Sequence, residues 1–263
     1  MSRPFDRLIS ALVLLAASGL GAWFFLAPFV SGGAAQPSAP GLFLALLGLS
    51  LAVIVANLET RRMDGRWLAA LGILVGLNAT LRLVSGPAGV SAVFFLPILA
   101  GFVFGADFGF LLGTLSLLVS ALIASGIGPW LPFQMLAAGW SGMVAGWLPR
   151  FGSGGRERWE TPMLAGWGAV SGVAYGVLLN LWFWPFLAAP AGAGAFEPGA
   201  ALPESVRRYA AFYLATSLWW DLARAAGNVL LILLLGPPVL RLLRRFERRF
   251  RFTAKEETGS ERL

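Results

Sequence analysis

The sequence predicts an all-α integral membrane protein that crosses the bilayer eight times. Hydrophobic residues make up 57% of the 263 residues and charged residues 13%, whereas a typical soluble domain has about 25% charged residues. The mean hydropathy is +0.74. A bilayer core of about 30 Å requires roughly 20 apolar residues for each helical span. The stretches that approach this length are 8–30, 41–58, 67–84, 90–104, 108–125, 130–148, 163–188 and 209–235.

The first and fourth spans each need an interpretation of their own. Arg3 and Arg7 precede the first span, as they would in a signal peptide. Its apolar run is longer than the roughly 7–15 residues of a signal-peptide core, so we interpret it as a retained helix. The fourth span is short, and the residues GAD at 105–107 follow it at once. This tight turn predicts that the fourth and fifth spans form a tilted helical hairpin.

The charged residues orient the eight spans. Basic residues concentrate before the first span, between the second and third, between the sixth and seventh, and after the eighth, all on one side of the membrane. The positive-inside rule therefore predicts cytoplasmic termini in a multi-pass protein of the plasma membrane. On the opposite side, the segment 189–208 is rich in Ala, Gly and Pro, and we expect it to be mobile.

The run VLRLLRRFERRFRF after the last span is basic and amphipathic. It predicts either an anchor that lies on anionic lipid or a docking helix for a cytoplasmic partner. Because the other basic residues also flank apolar spans, the net charge of +7 indicates membrane orientation rather than a nucleic-acid partner.

The composition excludes several kinds of chemistry. The chain has no cysteine and no histidine, which excludes disulfides, zinc-thiolate sites, iron–sulfur clusters and cysteine nucleophiles. The GWSG at 139–142 matches the GxSG of rhomboid-type intramembrane proteases, but no histidine exists to act as the base. The phosphate-binding lysine motif of P-loop ATPases is also absent. We therefore predict a protein that is not an enzyme and that has no metal and no cofactor.

The last span contains three polar residues on one helical face. Asp221, Arg224 and Asn228 follow the spacing i, i+3, i+7. Ionisable groups in a spanning helix cost roughly 2.5–3.5 kcal/mol each at its centre, and pairing Asp221 with Arg224 would reduce that cost. Two interpretations remain open: a self-contained ion pair that holds the bundle together, and a pair that contacts a ligand.

Other polar and aromatic residues are predicted at the same outer level of the membrane. Gln134 and Trp130 open the sixth span, Asn180 and Trp184 close the seventh, and Arg82 ends the third. An interfacial aromatic belt explains any single tryptophan. Several spans that deliver polar groups to one level instead favour an outward-facing, largely apolar pocket with a few polar anchors.

Small residues recur at helical spacing on two spans. Gly72 and Gly76 lie on the third span, and Gly139, Gly142 and Gly146 lie on the sixth. Such stripes are typical of close helix packing within a membrane protein. A flat surface for another membrane subunit is the alternative.

Four segments resemble the substrate-binding S components of energy-coupling factor (ECF) vitamin importers. They are FFLPILAGFVFGADFGFLLGTLS at 94–116, GIGPWLPFQMLAAGWSGMVAGWLP at 126–149, YGVLLNLWFWPF at 175–186 and WDLARAAGNVLLILLLGPPVLRLLRR at 220–245. The resemblance implies a six-helix S-component-like core that begins with the span 67–84. The domains would then be a two-helix extension at 1–66, the substrate-binding core at 67–240 and a basic cytoplasmic tail at 241–263.

The resemblance also implies a function, partners and site residues. An S component binds a vitamin at the extracellular side, performs no chemistry, and works with a transmembrane T component and two ATPase subunits. Many members meet the T component through an AxxxA pattern on the first core helix, where this chain has Gly72 and Gly76. The implied ligand contacts are Arg82, Trp130, Gln134, Asn180, Trp184, Asp221 and Arg224.

The predicted function is therefore capture of a vitamin or related micronutrient for ATP-driven uptake, with a cobalamin-like ligand as the first guess. Asp221 and Arg224 would hold charged or polar ligand groups, Gln134 and Asn180 would form hydrogen bonds, and Trp130 and Trp184 would stack. The alternative is an integral membrane enzyme or assembly factor that uses the buried Asp221/Arg224 pair.

Overall fold

The computed structural model describes residues 65–83, 86, 91–124, 126–149, 156–187 and 194–260, together with individual positions between 12 and 52. Within these residues the fold is all-helical, with seven α-helices numbered here in chain order. They are α1 (Gly65–Leu83), α2 (Phe95–Phe104), α3 (Ala106–Ile123), α4 (Leu131–Ala145), α5 (Glu160–Phe183), α6 (Leu202–Thr216) and α7 (Leu218–Ser260). Short 3-10 turns cover Ala92–Phe94, Arg156–Trp159 and Trp184–Phe186.

Four of these helices are long and apolar enough to cross a membrane. They are α1, α3, α5 and the segment Leu218–Arg248 of α7. The predicted spans 67–84, 108–125, 130–148 and 163–188 coincide closely with α1, α3, α4 and α5. The predicted spans 8–30 and 41–58 lie outside the described residues, except for individual positions.

The predicted hairpin between the fourth and fifth spans is present. Helix α2 ends at Phe104 and α3 begins at Ala106, so Gly105 alone makes the turn. Its φ of 110° lies in the left-handed region that favours glycine. The Gly105 amide closes the end of α2 by donating to the Gly101 carbonyl oxygen at 2.8 Å.

Glycines bring the backbones of α2, α3 and α4 into direct contact. Gly101, Gly109 and Gly142 meet at one point, which we call the glycine junction. A Cβ added to Gly142 would lie 2.9 Å from the Gly109 Cα and closer still to the Gly109 carbonyl oxygen. No side chain larger than hydrogen fits there without movement of a helix, as the predicted packing role of the Gly142 stripe requires.

A second glycine face, which the sequence analysis did not single out, joins α5 to α7. Gly168, Gly172 and Gly176 recur every four residues along α5. A Cβ on Gly172 would lie 3.0 Å from the backbone of Ala225, and one on Gly176 would collide with the carboxylate of Asp221. This face therefore allows the two long helices to pack closely where α7 carries its polar residues.

The predicted span 209–235 begins too early, because the membrane-capable helix starts at Leu218. The chain forms two helices there, α6 and α7, which are separated at Ser217. Ser217 has φ −124° and ψ −25°, and its amide donates to the Tyr213 carbonyl oxygen as the end of α6. The first turns of α6 carry the charged residues Glu204, Arg207 and Arg208, and most of its apolar residues lie in its second half. Part of the segment 189–208, which we expected to be mobile, is thus helical.

Two described residues of the N-terminal region pack against α4. The Trp140 indole nitrogen donates to the Ser18 hydroxyl at 2.9 Å. Phe25 is buried, with its ring edge-on to Phe133 at a centroid distance of 5.2 Å. The region before α1 therefore contributes side chains to the same core as the helices that follow.

Candidate functional site

One end of the bundle collects buried and half-buried polar side chains from five helices. The last turns of α1 and α3 and the first turns of α4 and α7 meet there, and the second half of α5 lies beside them. We call this the polar end. It contains two clusters, one around Arg82 and one around Asp221.

Arg82 joins three helices at the polar end. Its guanidinium donates to the Ser120 hydroxyl at 2.6 Å and to the Gln134 side-chain oxygen at 3.1 Å. Ser120 lies in α3 and is fully buried, whereas Gln134 lies in α4 and is half-buried. Arg82 therefore points into the bundle, and two of the predicted site residues, Arg82 and Gln134, are in contact.

Asp221 and Arg224 form an ion pair at the start of α7. Arg224 donates to Asp221 Oδ1 at 2.5 Å and to the Gly172 carbonyl oxygen of α5 at 3.3 Å. The Asp221 side chain is 3% exposed and that of Arg224 is 20% exposed. The pair is thus partly self-satisfied, and Arg224 is the more exposed of the two side chains.

Tyr175 connects the two clusters, and the sequence analysis did not predict it as a site residue. The Arg224 guanidinium lies over its ring at 5.3 Å from the centroid. Its hydroxyl interacts electrostatically with Arg224 and with Arg82. Tyr175 also packs edge-on against Phe94 at 5.0 Å. The available signal was a tyrosine inside a largely apolar helix, but such a residue is equally consistent with ordinary helix packing.

Tyr213 of α6 adds a further polar group to the Asp221 cluster. Its hydroxyl and Asp221 Oδ2 interact electrostatically, yet neither atom forms a well-aligned hydrogen bond among the described residues. Both atoms are buried. Such groups are costly unless a partner satisfies them, and here Tyr213 and Asp221 interact with each other.

The remaining predicted site residues lie apart from these contacts. Asn180 donates to the Gly176 carbonyl oxygen of its own helix at 2.8 Å. Trp130 is 43% exposed at the start of α4. Trp184 is 1% exposed, packs edge-on against Phe196, and donates from its indole nitrogen to the Gly194 carbonyl oxygen at 2.8 Å. Trp184 therefore ties the segment 194–200 to the end of α5.

The Trp184→Phe variant tests this tie. The replacement keeps most of the ring packing but removes the hydrogen bond to Gly194, at a cost of about 1 kcal/mol in the free energy of unfolding. We expect faster hydrogen exchange at 194–200, measured by mass spectrometry on the detergent-solubilised protein. Trp219→Phe is the matched control because Trp219 is 75% exposed; equal exchange in the two variants would contradict the role assigned to Trp184.

The charges of α6 belong to a separate network on its surface. Glu204 accepts hydrogen bonds from Arg207 at 2.9 Å and from Arg208 at 2.7 Å. These two arginines lower the pKa of Glu204 to about 2. Arg208 also pairs with Glu197 at 2.5 Å. Charged groups next to the polar end are thus already paired with one another.

The fold and the polar end define a class of protein: a multi-pass helical membrane protein with a candidate binding site within its bundle. Comparison with known families agrees with this class. A family model described as "ECF transporter, substrate-specific component" matches residues 66–236. The chain therefore belongs to the family of ECF transporter substrate-specific components, which is a family of transporter subunits and not of enzymes. No curated protein and no solved structure matches the chain significantly.

The family match and the four membrane-capable helices identify a multi-pass protein of the plasma membrane. The matched residues include all of α2 to α6 and nearly all of α1. Both polar clusters lie within the match, whereas the region before residue 66 lies outside it.

Proposed function

We propose that the chain captures a vitamin or related micronutrient at the extracellular face for ATP-driven uptake, as the substrate-specific subunit of an ECF importer. The single observation that carries the proposal is the polar end. There Arg82, Tyr175 and the Asp221/Arg224 pair converge from three helices of a membrane bundle. Polar groups at membrane depth are expensive and mark ligand or ion pathways.

The proposed topology follows from the charges of the sequence. Basic residues flank the inner ends of the proposed eight spans, so both termini are cytoplasmic and the polar end faces outward. The two spans before α1 form the extension at 1–66. In this arrangement a ligand reaches Arg82 and Arg224 from outside the cell.

Each proposed site residue has a role that its chemistry supports. Arg82, Asp221 and Arg224 hold charged or polar groups of the ligand, and Gln134 is positioned by Arg82 to form a hydrogen bond. Asn180 lies a little over one turn beyond Tyr175 on α5. Trp130 precedes α4, where its exposed ring can stack on a ligand, whereas Trp184 begins the turn after α5 and supports the segment 194–200.

The binding function is tested by mass spectrometry of small molecules that co-purify with the full chain in detergent. We expect one compound in stoichiometric amount with the wild type and with Arg207→Gln, because the Arg207 side chain is 73% exposed and pairs only with Glu204 among its described contacts. Gln134→Ala should lose the compound while its elution on size exclusion stays unchanged. Absence of any compound from the wild type, with no thermal shift from a vitamin panel, would reject the proposal.

The proposed partners are a T component and two ATPase subunits. Helix α1 presents an open face for the T component, on which no described residue lies within 4 Å of a Cβ added to Gly72 or Gly76. Ile73 and Leu77 on the same side are 72% and 49% exposed. Small residues beside large apolar ones form the kind of surface on which membrane helices pack closely.

Gly76→Leu should separate binding from complex assembly. The larger side chain blocks close approach of a partner helix on α1, whereas its Cβ has no described atom of this chain within 4 Å. We expect ligand binding to stay within twofold of the wild type, while co-purification of the T component and ATPases from cells that express all subunits falls at least tenfold. Intact assembly of the Gly76→Leu variant would exclude this face of α1 as the contact.

A further inference from the structure

We propose that the ligand carries an anionic group, a carboxylate or a phosphate, which binds to Arg82 in the electrostatic field of Arg224. This inference rests on the proposed binding function and narrows its substrate class. It follows from the charges gathered at the polar end, where the described groups include two guanidinium groups and one carboxylate.

Arg82 lacks a carboxylate partner among the residues that the structure describes. Both of its hydrogen bonds go to neutral acceptors, the Ser120 hydroxyl and the Gln134 amide oxygen. A guanidinium has five N–H donors, so most of its hydrogen-bonding capacity remains for another acceptor. A half-buried cation at membrane depth is costly without a counter-charge.

The acids described near this end of the fold are already paired. Asp221 is bound to Arg224 within one turn of α7. Glu204 pairs with Arg207 and Arg208, and Glu197 pairs with Arg208. None of them contacts Arg82, so the described groups of the polar end carry one positive charge more than negative charge.

The position of Tyr175 indicates where the excess positive charge of the polar end lies. Its hydroxyl interacts with the guanidinium groups of both Arg82 and Arg224, and Arg224 lies over its ring at 5.3 Å. Two cations from different helices therefore act on the same tyrosine. An anion that binds to Arg82 on the side of Tyr175 would lie in the electrostatic field of both. Charge-assisted hydrogen bonds from arginine are about twice as strong as neutral ones and suit planar carboxylates or phosphates.

The test uses the compound that co-purifies with the full chain, identified by mass, and measures its affinity for wild-type and variant proteins by calorimetry in detergent. We expect a compound with a carboxylate or phosphate group. Its affinity should fall about 10- to 100-fold in Arg82→Gln, since a hydrogen-bonded charged contact contributes on this scale. Arg82→Lys keeps the charge without the forked geometry, so its affinity for the compound should lie between those of the wild type and Arg82→Gln. Arg207→Gln should bind as the wild type.

Matched pairs of compounds provide a second readout: nicotinate with nicotinamide, pantothenate with pantothenol, and thiamine monophosphate with thiamine. The charged member should raise the thermal unfolding midpoint more than its neutral or less anionic partner, and Arg82→Gln should remove the difference.

A co-purified compound without an anionic group, or equal affinity in Arg82→Gln, would overturn the inference and leave the binding function standing. A phospholipid that Arg82→Gln releases would assign the anion to the bilayer instead, which also overturns it. No bound compound and no shift from any pair would count against the binding function itself.

Discussion

Gly142→Val is expected to prevent the protein from folding. The valine Cβ would lie 2.9 Å from the Gly109 Cα and closer to its carbonyl oxygen, and Gly101 of α2 meets the same point. Because the colliding atoms are backbone, no side chain can rotate away and α3 and α4 must separate. We expect a loss larger than the about 1–3 kcal/mol typical of overpacking against side chains. The measurement is the monodisperse fraction on fluorescence-detected size exclusion, together with the thermal unfolding midpoint.

Gly72→Val is the matched control for this prediction. It introduces the same side chain on a helix of the same bundle, but no described atom lies within 4 Å of the added Cβ. Its elution profile and unfolding midpoint should match those of the wild type. Equal loss of folded protein in both variants would show that a valine in any membrane helix is harmful, and that the glycine junction has no special role.

The sequence was sufficient to predict the helices that are both apolar and bounded by strong signals. Helices α1, α3, α4 and α5 lie close to their predicted bounds, and Gly105 marks the turn of the hairpin. The helices follow from their local composition, and the turn follows from one residue with a special backbone conformation. Such features do not require knowledge of neighbouring helices.

The break at Ser217 could not be predicted from hydropathy alone. The residues YAAFYLAT before it are as apolar as many spans, so an average over 209–235 hides the boundary. Helix α6 is held against α5 by the hydrogen bond from the Tyr209 hydroxyl to the Val177 carbonyl oxygen, a contact between helices that hydropathy does not report.

The candidate site was predictable only where its residues lie on one helix. Residue type and helical spacing were enough to pair Asp221 with Arg224, since both lie on one helix. The inward direction of Arg82 and the position of Tyr175 depend on three or more helices, and no spacing rule within one helix provides them. The sequence did not distinguish the packing glycines of α5 from the rest of the 33 glycines of the chain, because their role depends on the contact with α7.

Arg224→Met is expected to destabilise the protein strongly, by about 3–5 kcal/mol in the free energy of unfolding, because it leaves a buried carboxylate without its cation. The Asp221 side chain is 3% exposed and lies directly against Gly176, so little solvent is available to replace the guanidinium at Oδ1. The measurement is thermal or denaturant unfolding in detergent. Arg207→Gln breaks a pair on the surface of α6 and should change the same quantity by less than about 1 kcal/mol.

The double variant Asp221→Asn/Arg224→Met separates the structural role of the pair from its role in binding. Asparagine fits the space beside Gly176, and with no charge left in the site most of the lost stability should return, as it often does when both partners of a buried ion pair are neutralised. Ligand affinity should nevertheless fall at least 100-fold, because the site then has only Arg82 to hold an anion. A double variant that folds and binds as the wild type would instead give the pair a purely structural role. A double variant no more stable than Arg224→Met would mean that hydrogen bonds from Arg224 to α5, such as the one to the Gly172 carbonyl oxygen, contribute more to stability than the ion pair does.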